Sequence, residues 1–215
     1  IIFKATAVKH TLSYGASSKA DYSGEIEENH PYLAFNYESK DSKIYCKTQL
    51  VGNYNFENAM CAVAVAKYFQ ISDTDIQSSI ANYQPQNNRS QLVEYDSNQL
   101  ILDAYNANPS SVEAALESFD KIDHPQKMVV LGDMLELGES SEEEHLLIAI
   151  KLKKMKLDQI ILVGEEFGKV KGKLDAFHFE DYKSLKIWLQ QHLPQNKLIL
   201  VKGSRGISLE KAFVN

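Results

Sequence analysis

The sequence predicts an α/β protein, in which a C-terminal Rossmann-like domain with a mostly parallel sheet follows a β-rich and then helical segment. Strand and helix patterns alternate from residue 90 onward. Polar or glycine-containing segments follow three of the predicted strands, and ligands bind at that edge of open α/β sheets. Runs that are apolar throughout are typical of parallel strands covered by helices on both faces. They are Met128–Leu131, Ile160–Val163 and Leu198–Val201.

The first part of the chain divides into strands and two helices. Residues 1–50 alternate with a period of two, as at Leu33, Phe35 and Tyr37, which predicts half-buried antiparallel strands. An apolar stripe predicts a helix over 54–69, capped by Asn53 or Asn55. A second helix is predicted over 73–82.

A polar, proline-containing segment at 84–88 predicts a domain boundary, with domains at 1–86 and 87–215. The predicted strands of the second domain are 99–103, 127–131, 159–163, 176–179 and 198–201, with a hairpin arm at 92–95. Its predicted helices are 110–121, 141–156, 182–191 and 208–214. Right-handed crossovers then give three layers.

Composition excludes several classes of function. The net charge is -6 without a basic run, which argues against nucleic-acid or membrane-surface binding. No apolar stretch approaches a membrane span of ~20 residues. Cys46 and Cys61 fit no metal-ligand spacing and are interpreted as free thiols of a reducing cytosol. Because the chain begins at Ile1 without Met, we expect a piece of a longer polypeptide.

The first polar segment runs from Asp103 to Pro109. An Asp at the end of a strand is a familiar way to hold ribose hydroxyls. Asn108 can cap a helix that starts at Pro109, or Ser110 and Glu113 can form a capping box. The alternative is that the whole motif only starts a helix.

The second and third segments carry charge. Asp133 and Glu136 lie between two glycines, either as surface carboxylates or as groups that orient a substrate amine. Lys202 to Gly206 is either a plain turn or an anion site, in which Arg205 binds a carboxylate.

Further candidates are less specific. Asn55 and Asn58 share a helix face and can read a purine edge, or Asn55 is a cap. Arg89 lies in the predicted hinge, where a solvated arginine is the alternative. His145 is expected to pack or cap, and Trp188 to lie in the core.

Together these segments resemble the Mur ligases, the ATP-dependent enzymes that build the peptide of the bacterial cell wall. The likeness covers nearly the whole chain and is greatest to the member that adds D-alanyl-D-alanine to UDP-N-acetylmuramoyl-tripeptide through an acyl phosphate. The matching segments are Gly52–Asn58, Arg89, Asp103–Pro109, Gly132–Gly138 and Lys202–Arg205. Tyr54 and Asn88 depart from the family, where His and Gly are common.

The resemblance implies roles by position, with no catalytic residue certain in this chain. Asn55 and Asn58 would approach the adenine of ATP, Arg89 the ribose or phosphate, and Asp103 the ribose. A second set would lie near the dipeptide and the peptide end of the nucleotide substrate. It comprises Tyr105, Asn106, Asn108, Asp133, Glu136, Lys202, Ser204 and Arg205.

The family's phosphate loop, GxxxxGK[ST], does not occur in this sequence. Residues 1–86 therefore resemble the tail of the central ATPase domain, with the magnesium ligands expected mainly upstream. We expect no ligase activity from the chain alone, a monomeric full-length protein, and a piece that could dimerise. Two alternatives stay open: a non-catalytic nucleotide- or peptide-binding module, and a sister ligase similar to folylpolyglutamate synthase.

Overall fold

The computed structural model describes residues 11–28, 30–39 and 42–213. These residues form two compact units, each considered separately. The first contains the described residues up to Gln49 together with Asn53–Tyr83, and the second contains Leu50–Gly52 and the described residues from Gln84 onward.

The first unit combines one sheet with two helices. Its strands are β1 (Tyr14–Gly15), β2 (Tyr22–Glu27), β3 (Tyr32–Ser39) and β4 (Ser42–Val51), in that spatial order, and only the last two residues of β4 are counted with the second unit. Strand β2 is parallel to β1 and antiparallel to β3. The helices are α1 (Phe56–Tyr68) and α2 (Asp73–Asn82), and a 3-10 turn over Asn53–Asn55 precedes α1.

The core of the first unit lies between β3 and α1. Leu33, Phe35 and Tyr37 are buried, as their alternation predicts, against residues that include Phe56 and Met60. The expectation that Asn53 or Asn55 caps α1 is wrong. The backbone of Asn55 is already helical and its side chain makes no capping hydrogen bond, because the 3-10 turn takes the place of a cap.

The second unit is a six-stranded sheet with helices. Its strands are β5 (Gln91–Tyr95), β6 (Asn98–Asp103), β7 (Lys127–Gly132), β8 (Gln159–Val163), β9 (Phe177–Phe179) and β10 (Leu198–Lys202). They lie in the order β5-β6-β10-β7-β8-β9, and only the β5–β6 pair is antiparallel. The helices are α3 (Pro109–Asp120), α4 (Ser141–Lys154), α5 (Glu165–Val170) and α6 (Tyr182–Gln191). The predicted mixed α/β fold with a mostly parallel sheet is confirmed.

Local signals at helix ends explain two of these helices. Asn108 accepts the backbone N–H of Ser111 at the start of α3, and Pro109 is the first helical residue. The alternative capping box of Ser110 with Glu113 is therefore wrong. The predicted helix over 208–214 is instead a 3-10 helix at Leu209–Ala212, entered through the left-handed Ser208.

Two further details concern hydrophobic surface. Trp188 is partly buried: it packs against the core of the second unit and against Phe177 and Phe179 at the edge strand β9, so it lies at the margin of the core that the helical spacing predicts. Within the described ranges, every helix is too short or too polar to cross a membrane.

Candidate functional site

The carboxyl ends of β6, β10 and β7 lie side by side. Lys202 at the end of β10 pairs in register with Asp103 of β6 and with Leu131 of β7. The three polar segments that follow these strands therefore meet at one edge of the sheet, although about 100 residues separate the first from the last. We call this edge the rim.

A buried ion pair lies directly beneath the rim. The Nζ atom of Lys202 is 2.7 Å from Oδ2 of Asp103, and the two side chains are 3% and 13% exposed. Lys202 also donates to the carbonyl of Asn106 at 3.1 Å. The backbone N–H of Ser90 donates to Oδ1 of Asp103 at 3.2 Å, so this carboxylate also fixes the segment that precedes β5.

Ser204 connects all three segments. Its hydroxyl accepts the N–H of Leu135 at 2.9 Å and donates to the carbonyl of Ala107 at 3.3 Å. Its own N–H donates to the carbonyl of Asp133 at 3.1 Å. Because the side chain is buried, Ser204 acts as a connection between loops rather than as an exposed contact.

Asp133 is the main correction to the predicted site. Its side chain is buried, and its oxygens accept the N–H groups of Glu166 and Phe167, both at 2.9 Å, at the start of α5. Gly164 makes this approach possible, since a Cβ there would lie 2.3 Å from the carboxylate. Asp133 is neither a surface carboxylate nor a group facing a substrate amine, because its buried oxygens already accept hydrogen bonds from α5.

His145 supports the same loop from within, as expected. It is fully buried, and its Nε2 accepts the N–H of Met134 at 3.0 Å while Nδ1 lies 2.7 Å from the carbonyl of Ser141. This pattern assigns a neutral ring with the proton on Nδ1. The ring also packs edge-on against Phe167.

Glu136 differs from Asp133 although both belong to one loop. Its side chain is exposed and makes no ion pair within the described ranges. Its backbone adopts a left-handed conformation with φ of 68°, which is uncommon for a residue other than glycine. The loop therefore presents one carboxylate to solvent and keeps the other inside.

Two arginines lie on one tyrosine at the surface of the rim. The guanidinium carbon of Arg89 is 3.7 Å from the ring centroid of Tyr105, and that of Arg205 is 5.4 Å away. A hydrogen bond from Arg89, followed by the positive charges of Arg89 and Arg205, lowers the pKa of the Tyr105 phenol, because each of them favours the phenolate. Both arginines are exposed.

The asparagines of the first segment have local partners. Asn106 accepts the N–H of Ala107 through its own Oδ1 at 2.9 Å, and Asn108 caps α3. In the first unit, Nδ2 of Asn58 donates to Oδ1 of the buried Asn55 at 3.4 Å, so the two amides are neighbours as predicted.

Sequence reasoning missed Ser90 and the contact between Tyr105 and the arginines. Ser90 has no motif around it that would mark it. A signal for the second feature exists, since the chain contains only two arginines. In the part of the chain that the structure describes, no group of three His, Cys, Asp or Glu side chains could hold a metal ion.

Comparison with known proteins agrees with this arrangement. The family model described as "Mur ligase, glutamate ligase domain" matches residues 88–205, more than half of the chain. Two relatives are UDP-N-acetylmuramoyl-tripeptide--D-alanyl-D-alanine ligases. The Bacillus subtilis protein is 29% identical over 94% of this chain and 46% of its own length, and the Treponema pallidum protein is 32% identical over 78% and 38%.

A solved structure is similar over the same extent. The crystal structure of MurF from Acinetobacter baumannii has a TM-score of 0.79 and 28% identity, over 94% of this chain and 46% of that one. The chain thus spans less than half the length of these relatives. With its glutamate ligase domain matched and its fold shared, the chain belongs to the Mur ligase family.

Proposed function

We propose that this chain is the C-terminal portion of an ATP-dependent ligase that joins D-alanyl-D-alanine to UDP-N-acetylmuramoyl-tripeptide. In this proposal, residues 1–86 are the end of the central ATP-binding domain and 87–215 are the C-terminal domain. The names of the relatives support the substrates. The observation that carries the proposal is the rim, where the exposed Arg205 and the exposed Glu136 come from separate segments and the exposed Arg89 lies on Tyr105 of the third.

The described residues fit ATP as a substrate. In the second unit, the exposed Arg89 suits a phosphate, since a guanidinium forms paired hydrogen bonds with such oxygens. Asp103 keeps acceptor capacity beyond its bonds to Ser90 and Lys202, because a carboxylate has about four lone-pair sites for hydrogen bonds. In the first unit, we assign Asn55 and Asn58 to the adenine.

The exposed part of the rim fits the peptide substrates. The Glu136 carboxylate can accept hydrogen bonds from the ammonium group of the dipeptide, and Arg205 can bind a carboxylate. The Tyr105 ring centroid lies 5.4 Å from the guanidinium carbon of Arg205, and we assign Tyr105 and Asn106 to the same peptide substrates. We assign Lys202, Ser204 and Asn108 to the support of these groups, since their polar atoms already have partners within the chain.

The proposed reaction has two steps. The γ-phosphoryl group of ATP passes to the tripeptide carboxylate, giving an acyl phosphate and ADP. The dipeptide amine then attacks the acyl carbon, forming the amide and releasing phosphate. Magnesium is expected to be held mainly outside this chain. A cytoplasmic location and a monomeric full-length protein complete the proposal, and the free Cys46 and Cys61 agree with a reducing compartment.

The test uses the longer protein that contains this chain. It is incubated with ATP, magnesium, UDP-N-acetylmuramoyl-tripeptide and D-alanyl-D-alanine, and the ligated product and phosphate are measured. Glu136→Gln should raise the KM for the dipeptide about tenfold through loss of a charge-assisted hydrogen bond. Glu139→Gln is the matched control, because Glu139 is exposed in the same loop without a partner among the described residues.

Other outcomes would contradict the proposal. Nucleotide binding without product would favour a non-catalytic binding module. Faster product formation with a different amino acid or peptide than with D-alanyl-D-alanine would favour a sister ligase.

A further inference from the structure

The chain uses arginine at only two positions, and both lie on the same ring. Its 23 basic residues are lysines except for Arg89 and Arg205. These two are 116 positions apart in sequence, yet both guanidinium groups lie within 6 Å of the Tyr105 ring centroid. A surface that needed only positive charge could use lysine here, as the rest of the chain does.

Arginine differs from lysine in a way that suits this arrangement. A guanidinium is planar and can lie against an aromatic ring by its face while its N–H groups at the edge stay available. Neither arginine has a carboxylate within 4.0 Å in the part of the chain that the structure describes. A guanidinium has five N–H donors, so beyond their hydrogen bonds to the Tyr105 hydroxyl both groups keep donors for a ligand.

The surroundings favour an anion at this place. The buried Asp103 carboxylate below the rim is paired with the ammonium of Lys202, so it does not cancel the arginine charges. The pKa of the Tyr105 phenol is lowered, first by a hydrogen bond from Arg89 and then by the positive charges of Arg89 and Arg205.

The backbone next to each arginine is fixed by hydrogen bonds of a buried serine. Ser90, next to Arg89, donates to the Asp103 carboxylate, and Ser204, next to Arg205, bonds to the other two rim segments. The backbone beside each arginine is thus fixed, and Tyr105 supplies the remaining constraint on the two long side chains. Such restriction before binding lowers the entropy lost when a ligand is bound.

We propose that Arg89, Tyr105 and Arg205 form one oxyanion-binding unit, in which Tyr105 is a positioning residue that holds both guanidiniums for the same phosphate or carboxylate group. This inference rests on the proposed function for the source of that group. Phosphate would come from the nucleotide or the acyl phosphate, and carboxylate from a peptide substrate.

The two arginines make a direct test possible. In this chain labelled with [15N]arginine, the side chains give only two Nε–Hε NMR signals, which Arg89→Lys and Arg205→Lys assign. Two ligands are added stepwise to the protein. The first is inorganic pyrophosphate, with sodium chloride of equal ionic strength as its control. The second is N-acetyl-D-alanyl-D-alanine, with its C-terminal amide as its control. We expect pyrophosphate, the carboxylate peptide, or both to shift the two arginine signals. For any ligand that binds, the two signals should give the same dissociation constant. The matched controls should leave both signals unchanged.

Variants of Tyr105 separate positioning from charge. Tyr105→Leu should weaken binding about tenfold, since it removes the ring from two cation–π contacts. Tyr105→Phe keeps the ring and should stay within about twofold. Backbone amide spectra check that each variant folds. If Tyr105→Leu does not fold, Arg205→Lys provides the test, because it should weaken the response of the remaining Arg89 signal about tenfold.

Three results would overturn the inference. The first is arginine signals that change with ionic strength alone. The second is different dissociation constants for the two arginine signals. The third is a folded Tyr105→Leu variant that binds the ligand as tightly as the wild type does. Failure of the longer protein to ligate would overturn the proposed function but would not alter these titrations, because they measure binding without turnover.

Discussion

Residues buried under the rim and residues exposed on it are the same chemical types in opposite situations. Asp133 and Lys202 are buried and hydrogen-bonded within the chain, whereas Glu136 and Arg205 are exposed and without ionic partners in the described ranges. Sequence position does not separate buried from exposed residues, because Asp133 and Glu136 come from one short segment and Lys202 and Arg205 from another.

The difference shows how a polar motif can serve two purposes. The buried groups bond to loops that are distant in sequence and fix their backbones, which is costly to disturb because buried polar groups need partners. The exposed groups are free to bind a ligand. Substitutions should therefore change stability in the buried set, and binding in the exposed set.

The largest effect on stability is expected from Lys202→Met. It leaves the Asp103 carboxylate without its cation, which costs about 3 kcal/mol for a buried pair. Urea denaturation followed by fluorescence measures this, since the single tryptophan, Trp188, reports on the second unit. The double variant with Asp103→Asn should recover about 1 kcal/mol or more, as no charge is then left unpaired.

Lys153→Met is the control for this experiment. Lys153 is an exposed lysine of α4, and its loss should change stability by no more than about 0.5 kcal/mol. Equal stability of the Lys202 and Lys153 variants would show that the buried ion pair does not hold the rim together.

Asp133→Ala should cost about 2 kcal/mol, because two backbone N–H groups at the start of α5 lose their acceptor. Asp133→Asn should cost less, since one acceptor oxygen remains. The matched substitution Glu136→Ala should fall within about 0.5 kcal/mol of the wild type. Denaturation of the three variants gives the comparison, and a loss for Glu136→Ala as large as that for Asp133→Ala would remove the distinction between the buried and the exposed carboxylate.

Asp73 in the first unit is an intermediate case. Like Asp103 it binds a lysine, Lys67, and a serine, Ser39, but its side chain is 31% exposed. Hydrogen bonds from Lys67 and then Ser39 lower the pKa of Asp73 to about 2. A carboxylate with a lowered pKa stabilises the fold above its unfolded pKa, and this contribution is lost as the pH falls toward the folded value.

The pH dependence of the first unit should show this contribution. Between pH 4 and pH 2, we expect a loss of about 1 kcal/mol, reduced from the full linkage value because solvent screens the pair. Asp73→Asn should lack this part of the pH dependence. Hydrogen exchange of the α2 amides in both proteins measures the difference, and identical pH profiles would contradict it.

Much of the fold follows from local patterns. The all-apolar runs that end at Leu131 and Val201 predict buried parallel strands because a strand with helices on both faces has no polar side. Asn108 before Pro109 predicts the start of α3, since both residues act within one turn. These signals are short-range, so a single sequence contains them.

Other features depend on residues that are distant in sequence. The three segments could be predicted to share an edge, but the position of β10 between β6 and β7 could not, because strand order depends on long-range packing. A carboxylate after a strand is the same in sequence whether it faces solvent or a helix 33 residues later. The burial of Asp133 was missed for that reason, although Gly164 gave a weak signal of close approach.

The smallest expected effect concerns the backbone of Glu136. Its φ of 68° suits glycine, so Glu136→Gly should stabilise the protein by up to about 0.5 kcal/mol, the relief of strain less the entropy cost of glycine. Glu139→Gly should instead destabilise by about 0.5–1 kcal/mol, because Glu139 lies in a 3-10 turn without positive φ. Denaturation midpoints that move in opposite directions would show that the backbone at Glu136 is strained. The presence of a carboxylate there would then be explained by ligand binding rather than by stability. Destabilisation of both variants by the same amount would remove that argument for Glu136.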